Sequence, residues 1–288
     1  RVPGEGRQVF VDRGRDLGLQ HEHHVPAEMW YGRRYSFTVE FALANGPVAA
    51  SDLNGDCWPD LLFGDFESGE ALVRVYWNRA GALFDADKLD LAELPDAIGS
   101  LGLADLNGDY QIDLAVGNLF GGRESVVYQS LPDARLKAVQ RISMSKGAIG
   151  FAFGDIAGDA AVDVFVAHWD IIAKPARAPA MMENRGGFLY PVDDDVGTSG
   201  ADLEQNFHFS PGFVDIDLDG DLDLTIASDF GTSEVLRNDD GRFDVITDRA
   251  VINDENGMGS AIGDFNNDGV PDWFVTAIRN YKNTGDFK

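Results

Sequence analysis

Residues 263–272 read Gly-Asp-Phe-Asn-Asn-Asp-Gly-Val-Pro-Asp, and this stretch decides the fold. Counted from Asp264, oxygen-bearing side chains stand at positions 1, 3, 5 and 9, and the residue at position 7 can add its backbone carbonyl. Ca²⁺ takes about six to eight such oxygen ligands in a flexible shell. The stretch is therefore predicted to be a calcium-binding loop.

The same frame occurs five times, and we number the copies loop 1 (52–60), loop 2 (105–113), loop 3 (155–163), loop 4 (215–223) and loop 5 (264–272). The predicted ligands, with the carbonyl of position 7 included, are Asp52, Asn54, Asp56, Trp58 and Asp60; Asp105, Asn107, Asp109, Gln111 and Asp113; Asp215, Asp217, Asp219, Asp221 and Asp223; and Asp264, Asn266, Asp268, Val270 and Asp272. Loop 3 keeps Asp155, Asp159 and Asp163 but has Ala157 at position 3, so a weak or empty site is expected there. About four bound Ca²⁺ are therefore predicted.

An EF-hand is the main alternative for such a loop, and it requires a bidentate glutamate at position 12 between two helices. Position 12 is apolar in every copy: Phe63, Val116, Val166, Ile226 and Val275. Each loop is followed by a short run of branched, apolar or aromatic residues, which is typical of a buried strand. The loops are therefore predicted to join two strands.

The spacing of the loops predicts the architecture. A repeat of about 40–50 residues with several short strands is typical of a β-propeller with one blade per repeat. A parallel β-helix or an RTX roll would repeat about every nine residues. We therefore predict an all-β fold, a single β-propeller domain over residues 1–288 with four-stranded blades, of which five repeats are visible. The strand that leads into each loop is rich in small residues and is expected to line the central channel.

The two ends of the chain leave the number of blades open. Residues 6–12 resemble an outermost strand with no blade before it, and residues 285–288 resemble an outermost strand cut short. Either the first of these completes the last blade and closes a five-bladed ring, or further blades follow. Since the chain starts at Arg1 without a visible leader, we expect a processed or cropped chain. Two inserts, 20–46 and 196–211, are expected to be ordered loops.

Composition excludes several classes of function. A net charge of −26 opposes nucleic acid and anionic membrane surfaces, and no apolar run approaches the roughly 18 residues of a membrane span. Cys57 is the single cysteine, so an intrachain disulfide is impossible. Calcium loops of modest affinity fill where calcium is plentiful. We therefore predict a secreted, periplasmic or cell-surface protein.

Propeller topology places the metal loops on one face and the connections between successive blades on the other. Aromatic, arginine and histidine residues are concentrated in segments assigned to that other face, and aromatic residues and arginine are enriched at binding hot spots. The candidates for binding a protein partner or a glycan are His21, His23, His24, Trp30, Tyr31, Arg33, Arg34, His168, Trp169 and His208.

These candidates have alternative interpretations. The histidines at 21–24 could hold a transition metal, or they could form a solvated loop with one packed imidazole. Trp169 could stack on a sugar or pack under the segment 169–180. The insert 20–46 could bind a partner, or it could plug the channel with Trp30 and Tyr31 buried.

The sequence contains few features that indicate catalysis. The sequence has no Gly-x-Ser-x-Gly elbow, no phosphate-binding glycine loop and no pair of redox cysteines. The predicted function is a non-enzymatic binding, adhesion or accessory-subunit scaffold. The alternative is a carbohydrate-active enzyme of the lyase or dehydratase type, with His168 or His208 at the channel mouth.

The chain resembles the FG-GAP/VCBS repeats of integrin-like propellers, and more closely the ASPIC/UnbV and cartilage-acidic-protein-like branch. The segments that carry the resemblance are 16–21 with 46–52, 241–248 and 256–264, in addition to the loops. The resemblance implies a secreted, calcium-stabilised propeller, commonly seven-bladed, that serves for binding or as a scaffold. The chain departs from the pattern at Ala157, in showing five repeats, and in lacking a C-terminal ASPIC segment.

Overall fold

A computed structural model of the chain describes residues 12–22, 46–68, 70–119, 123–133, 135–169, 180–198, 207–253 and 256–277. These residues form strands, loops and short 3-10 turns, among them Asp229–Gly231, so the all-β prediction is confirmed. Within them, no helix has the length and apolar character needed to cross a bilayer.

The strands form five antiparallel sheets that follow one another along the chain, and we call them blades 1 to 5. Blade 1 contains β1 (Val48–Ser51), β2 (Asp60–Glu67), β3 (Glu70–Arg79) and β4 (Leu83–Lys88). Blade 2 contains β5 (Ile98–Ala104), β6 (Asp113–Asn118), β7 (Arg123–Ser130) and β8 (Leu136–Met144). Blade 3 contains β9 (Gly147–Gly154), β10 (Asp163–Trp169), β11 (Met181–Asn184) and β12 (Leu189–Pro191). Blade 4 contains β13 (His208–Val214), β14 (Asp223–Ser228), β15 (Glu234–Asp239) and β16 (Arg242–Val245). The described part of blade 5 contains β17 (Gly257–Gly263) and β18 (Asp272–Ala277).

Within each sheet the strands lie in the order in which they follow along the chain. In blades 1 to 4 the four strands pair in sequence, so each metal loop joins the first strand to the second. The first strand of each sheet packs against the first strand of the next, from β1 through β5, β9 and β13 to β17. This is the arrangement of blades around an axis, with the first strands innermost. The ring-closing strand predicted at 6–12 lies almost wholly outside the described residues.

Burial explains the apolar runs that follow the loops. Every residue of β6, β10 and β14 is buried, because these second strands lie between neighbouring blades. Strands buried on both faces have continuous rather than alternating apolar residues. The core consists of clusters that draw on consecutive blades, for example Leu62 with Leu114, and Val127 with Val164.

Close packing between innermost strands explains their small residues. A Cβ atom at Gly102 of β5 would lie 2.5 Å from the ring of Phe153 in β9. A Cβ atom at Gly212 of β13 would lie 2.6 Å from the side chain of Ile262 in β17. At both positions a large side chain of the next blade occupies the space that a larger residue would need.

The two predicted inserts are only partly described. Of the segment 20–46, residues 23–45 lie outside the description. The preceding segment crosses the outer side of blade 1, where the N–H of Phe84 donates to the carbonyl of Leu17 at 2.7 Å. In the second insert the loop prediction was wrong for residues 208–211, because they form the start of β13, paired with β14 through a bulge between His208 and Ser210.

Candidate metal loops and the opposite face

Each metal loop has two residues in the left-handed backbone region, at positions 4 and 6. Each loop has a single glycine at these two positions: position 4 in loops 1 to 3, and position 6 in loops 4 and 5. The other position takes a residue with a side chain, such as Tyr110 (φ 66°) or Leu218 (φ 64°). A side chain in this region costs about 1–2 kcal/mol. The repeated backbone shape is therefore stabilised by other interactions.

Backbone amides around the first aspartate supply that stabilisation. In every loop the carboxylate of position 1 accepts two hydrogen bonds. One comes from the N–H of position 5, at 3.0–3.2 Å, and the other from the N–H of position 6, at 2.7–3.1 Å. The carboxylate of position 5 accepts in turn from the N–H of position 7, at 2.9–3.0 Å. The aspartates therefore shape the loop as well as offering oxygens to an ion.

The ninth aspartate lies at the start of the following strand and is buried in the first four loops: Asp60, Asp113, Asp163 and Asp223. Its carboxylate accepts from the N–H of position 2 of the same loop, as in Asp113 and Leu106 at 3.0 Å. Burial raises the pKa of all four carboxyl groups, and the charges of nearby loop aspartates raise it further. A bound cation would offset this repulsion.

Loop 4 brings three carboxylates close together. Carboxylate oxygens of Asp215, Asp217 and Asp223 all lie within 4.8 Å of each other. With Ca²⁺–oxygen distances of about 2.3–2.6 Å, ligands of one ion are separated by up to about 5 Å. The residues of this loop therefore fit a calcium ion.

Loop 3 keeps the shape of the other loops although it lacks a ligand. The carboxylate of Asp155 accepts hydrogen bonds from the backbone N–H of Asp159 at 3.1 Å and from that of Ala160 at 2.8 Å, as in the other loops. Ala157 offers no side-chain oxygen. Loop 3 therefore keeps the fold of the other loops and lacks only the side-chain oxygen of position 3.

Asparagine-x-x-glycine turns hold the ninth aspartate in place in three blades, a role that the sequence analysis missed. Asn78, Asn184 and Asn238 each donate a backbone N–H to that carboxylate, at 2.7–2.8 Å. Their side-chain oxygens accept from the glycine three residues later, at 2.7–2.9 Å. The signal was visible at 78–81, 184–187 and 238–241.

On the face opposite the loops, the described candidates are more buried than a binding role suggests. The ring of His21 stacks on Phe63, with 4.3 Å between centroids, and meets Tyr76 edge-on. The hydroxyl of Tyr76 donates to the carbonyl of Gln20 at 3.0 Å. His21 is thus a packed imidazole. His23, His24, Trp30, Tyr31, Arg33 and Arg34 lie outside the described residues.

His168, Trp169 and His208 are buried, between blades 3 and 4. The indole of Trp169 donates to the carboxylate of Asp229 at 3.0 Å. The ring nitrogens of His208 have no hydrogen-bond partner among the described residues. Burial, with the nearby His168 and Lys146, lowers the pKa of His208 to about 3. The structure therefore brings the two histidines together, away from solvent.

A groove of about 690 Å³ lies at the rim of this face, beside the connection from blade 1 to blade 2. Its lining combines apolar side chains, among them the half-buried Leu89, Leu91 and Leu94, with charged ones. The charged lining residues are Glu70, Lys88, Asp90 and Asp96.

Comparison with known proteins agrees with the repeats. A family model described as FG-GAP-like repeat matches residues 52–116 and 215–275. Over 107 residues, 34% of this chain, integrin alpha-7 is 38% identical in Homo sapiens, 42% in Rattus norvegicus and 40% in Mus musculus. The chain spans 9% of the length of these relatives. The chain thus has an integrin-like FG-GAP-repeat fold, and the ASPIC/UnbV branch stays a prediction.

Proposed function

We propose that this chain of FG-GAP-like repeats is a calcium-stabilised β-propeller that acts outside the cytoplasm as a binding or adhesion scaffold. The observation that carries the proposal is the frame shared by all five loops, in which backbone amides hold the aspartates of positions 1 and 5. Loops of this kind bind calcium at the high concentrations found outside cells. The similarity to integrin alpha-7 supports a role in adhesion.

The metal would have a structural role. In loop 4, Asp215, Asp217 and Asp223 would hold the ion, and its charge would offset their mutual repulsion. The same positions would serve in loops 1, 2 and 5. An ion that binds only the folded chain stabilises it by mass action.

The partner would bind the face opposite the loops. That face carries the groove lined by Leu89, Leu91 and Leu94, and the insert 20–46 is predicted to belong to the same face. The insert is far longer than the roughly 2–6 residues that connect strands, and it concentrates aromatic and arginine residues. The partner that we propose for this surface is a protein or a glycan.

The carbohydrate-active alternative receives no support from the described histidines. His208 is fully buried and its low pKa keeps it neutral at physiological pH, and His168 is 1% exposed. A general acid or base must come within hydrogen-bond reach of the substrate. The scaffold function is therefore the better supported of the two.

The test is capture of a surface partner by the whole chain in calcium-containing buffer, with cross-linking and mass spectrometry to identify it. The double variant Trp30→Ala with Arg33→Ala removes two hot-spot residue types, so captured partner should fall about tenfold or more. Tyr110→Ala is the matched control. It removes an aromatic side chain that is 96% exposed but lies in a metal loop, on the face opposite the proposed binding surface. Normal capture by the double variant, with loss on Tyr110→Ala, would place the binding surface on the loop face instead.

A further inference from the structure

The asparagine of blade 3 reaches into the preceding blade. Besides holding Asp163 through its N–H, Asn184 donates its side-chain amide to the carbonyl of Leu106 at 2.6 Å. Leu106 is position 2 of loop 2, and its own N–H donates to Asp113. A continuous series of hydrogen bonds therefore joins the ninth aspartate of loop 2 to the ninth aspartate of loop 3.

Blade 4 repeats the arrangement. The side-chain amide of Asn238 donates to the carbonyl of Ile156 in loop 3 at 3.1 Å, and its N–H donates to Asp223 in loop 4 at 2.7 Å. The N–H of Ile156 donates to Asp163 at 3.0 Å, so the ninth aspartates of loops 3 and 4 are connected as well. We call this series of hydrogen bonds, from Asp113 through Asp163 to Asp223, the path. Leu106 and Ile156 are 3% and 4% exposed. Polar networks shielded from water act cooperatively.

The path ends at loop 2, because blade 2 has Ser130 where blades 1, 3 and 4 have asparagine. Ser130 holds Asp113 through its N–H, but its short hydroxyl donates to Ile112 of the same blade. In blade 1 the side-chain amide of Asn78 likewise donates within its own blade, to Pro59 at 3.0 Å. The described bonds thus connect loops 2, 3 and 4 and leave loop 1 apart.

We propose that Asn184 and Asn238 are positioning residues that couple the calcium affinities of loops 2 and 4 through loop 3. The inference rests on the proposed calcium binding. An ion in loop 4 would fix Asp223, and the hydrogen bonds would then order the ninth aspartates of loops 3 and 2 in turn. Loop 3 keeps these bonds although Ala157 removes a ligand, so its role is to transmit order rather than to bind tightly.

The test measures Tb³⁺ binding at loop 2 while loop 4 is disabled. Tyr110 belongs to loop 2, so the luminescence lost in Tyr110→Phe reports this loop alone. Asp217→Ala places in loop 4 the alanine that loop 3 has naturally at the same position. Asn54→Ala makes the matching change in loop 1, which is outside the path. Asn238→Ser copies Ser130 and removes the bond to Ile156.

Coupling predicts that Asp217→Ala weakens Tb³⁺ binding at loop 2 about fivefold or more. The control Asn54→Ala should change that affinity less than about twofold. In an Asn238→Ser background, Asp217→Ala should no longer affect Tb³⁺ binding at loop 2. An unchanged affinity after Asp217→Ala, or an effect that persists with Asn238→Ser, overturns the coupling while leaving calcium binding intact. If no Tyr110-dependent luminescence arises at any Tb³⁺ concentration, the metal loops of the proposed function fail and the coupling fails with them. Melting of each variant in saturating calcium confirms that it is folded.

Discussion

Gln140 of β8 and Leu189 of β12 form a two-way hydrogen-bonded pair across the boundary between blades 2 and 3. The side-chain amide of Gln140 donates to the carbonyl of Leu189 at 2.7 Å, and its oxygen accepts from the N–H of Leu189 at 2.8 Å. Because β12 is the last strand of its sheet, its outer edge would otherwise present unpaired groups. Gln140 therefore completes a strand edge and ties two blades together.

Gln140→Ala should lower the free energy of unfolding by about 1–3 kcal/mol, because two partly buried backbone groups lose their partner. Urea unfolding monitored by fluorescence measures the change. Lys137→Ala is the control, because Lys137 lies exposed on the same strand and should change stability by less than about 0.5 kcal/mol. Equal effects of the two substitutions would show that the pair does not stabilise the blade boundary.

The lowered pKa of the buried His208 predicts that the folded chain loses stability in mild acid. Burial lowers the pKa of His208 in the folded chain to about 3, from 6.5. Below pH 6.5 the unfolded chain therefore binds a proton that the folded chain does not, and stability falls as pH falls from 6.5 towards 3. The slope is about 1.4 kcal/mol per pH unit, so the free energy of unfolding should drop by about 2 kcal/mol between pH 7 and pH 5. In His208→Gln this part of the drop should vanish, and an identical pH dependence in both proteins would refute the assignment.

Ala157→Asn should restore a fifth metal site. Position 157 is exposed, and loop 3 already has the backbone hydrogen bonds of the other loops. Isothermal titration should show one additional Ca²⁺ per chain relative to the unsubstituted protein. Ala157→Ser offers a shorter oxygen and serves as an intermediate case. An unchanged stoichiometry in Ala157→Asn would mean that loop 3 is excluded from binding by something other than the missing ligand.

The fold and the loops were predictable because both depend on local sequence. The positions of loop aspartates follow from the ligand spacing, and the apolar runs after them predict strands buried between blades. The glycines were predictable as turn residues, but their shift from position 4 to position 6 in loops 4 and 5 became meaningful only with the backbone angles.

The contacts between blades were not predictable, because they depend on how sheets pack. Nothing in the sequence places Asn184 beside Leu106, which is 78 residues earlier. The burial of His168 and His208 has the same origin, since both lie at strand ends that the adjoining blade covers. His168 and His208, which the sequence offered as candidates for binding a partner or a glycan, are therefore buried between blades.

The most direct test of the account is the number of calcium ions bound per chain together with the melting temperature in calcium and in EDTA. The account predicts about four Ca²⁺ and a markedly lower melting temperature in EDTA, since each site at a free calcium concentration of 100 times its Kd adds about 2.7 kcal/mol of stability. No bound calcium, with identical melting curves in calcium and in EDTA, would contradict the assignment of the five repeated loops as metal sites.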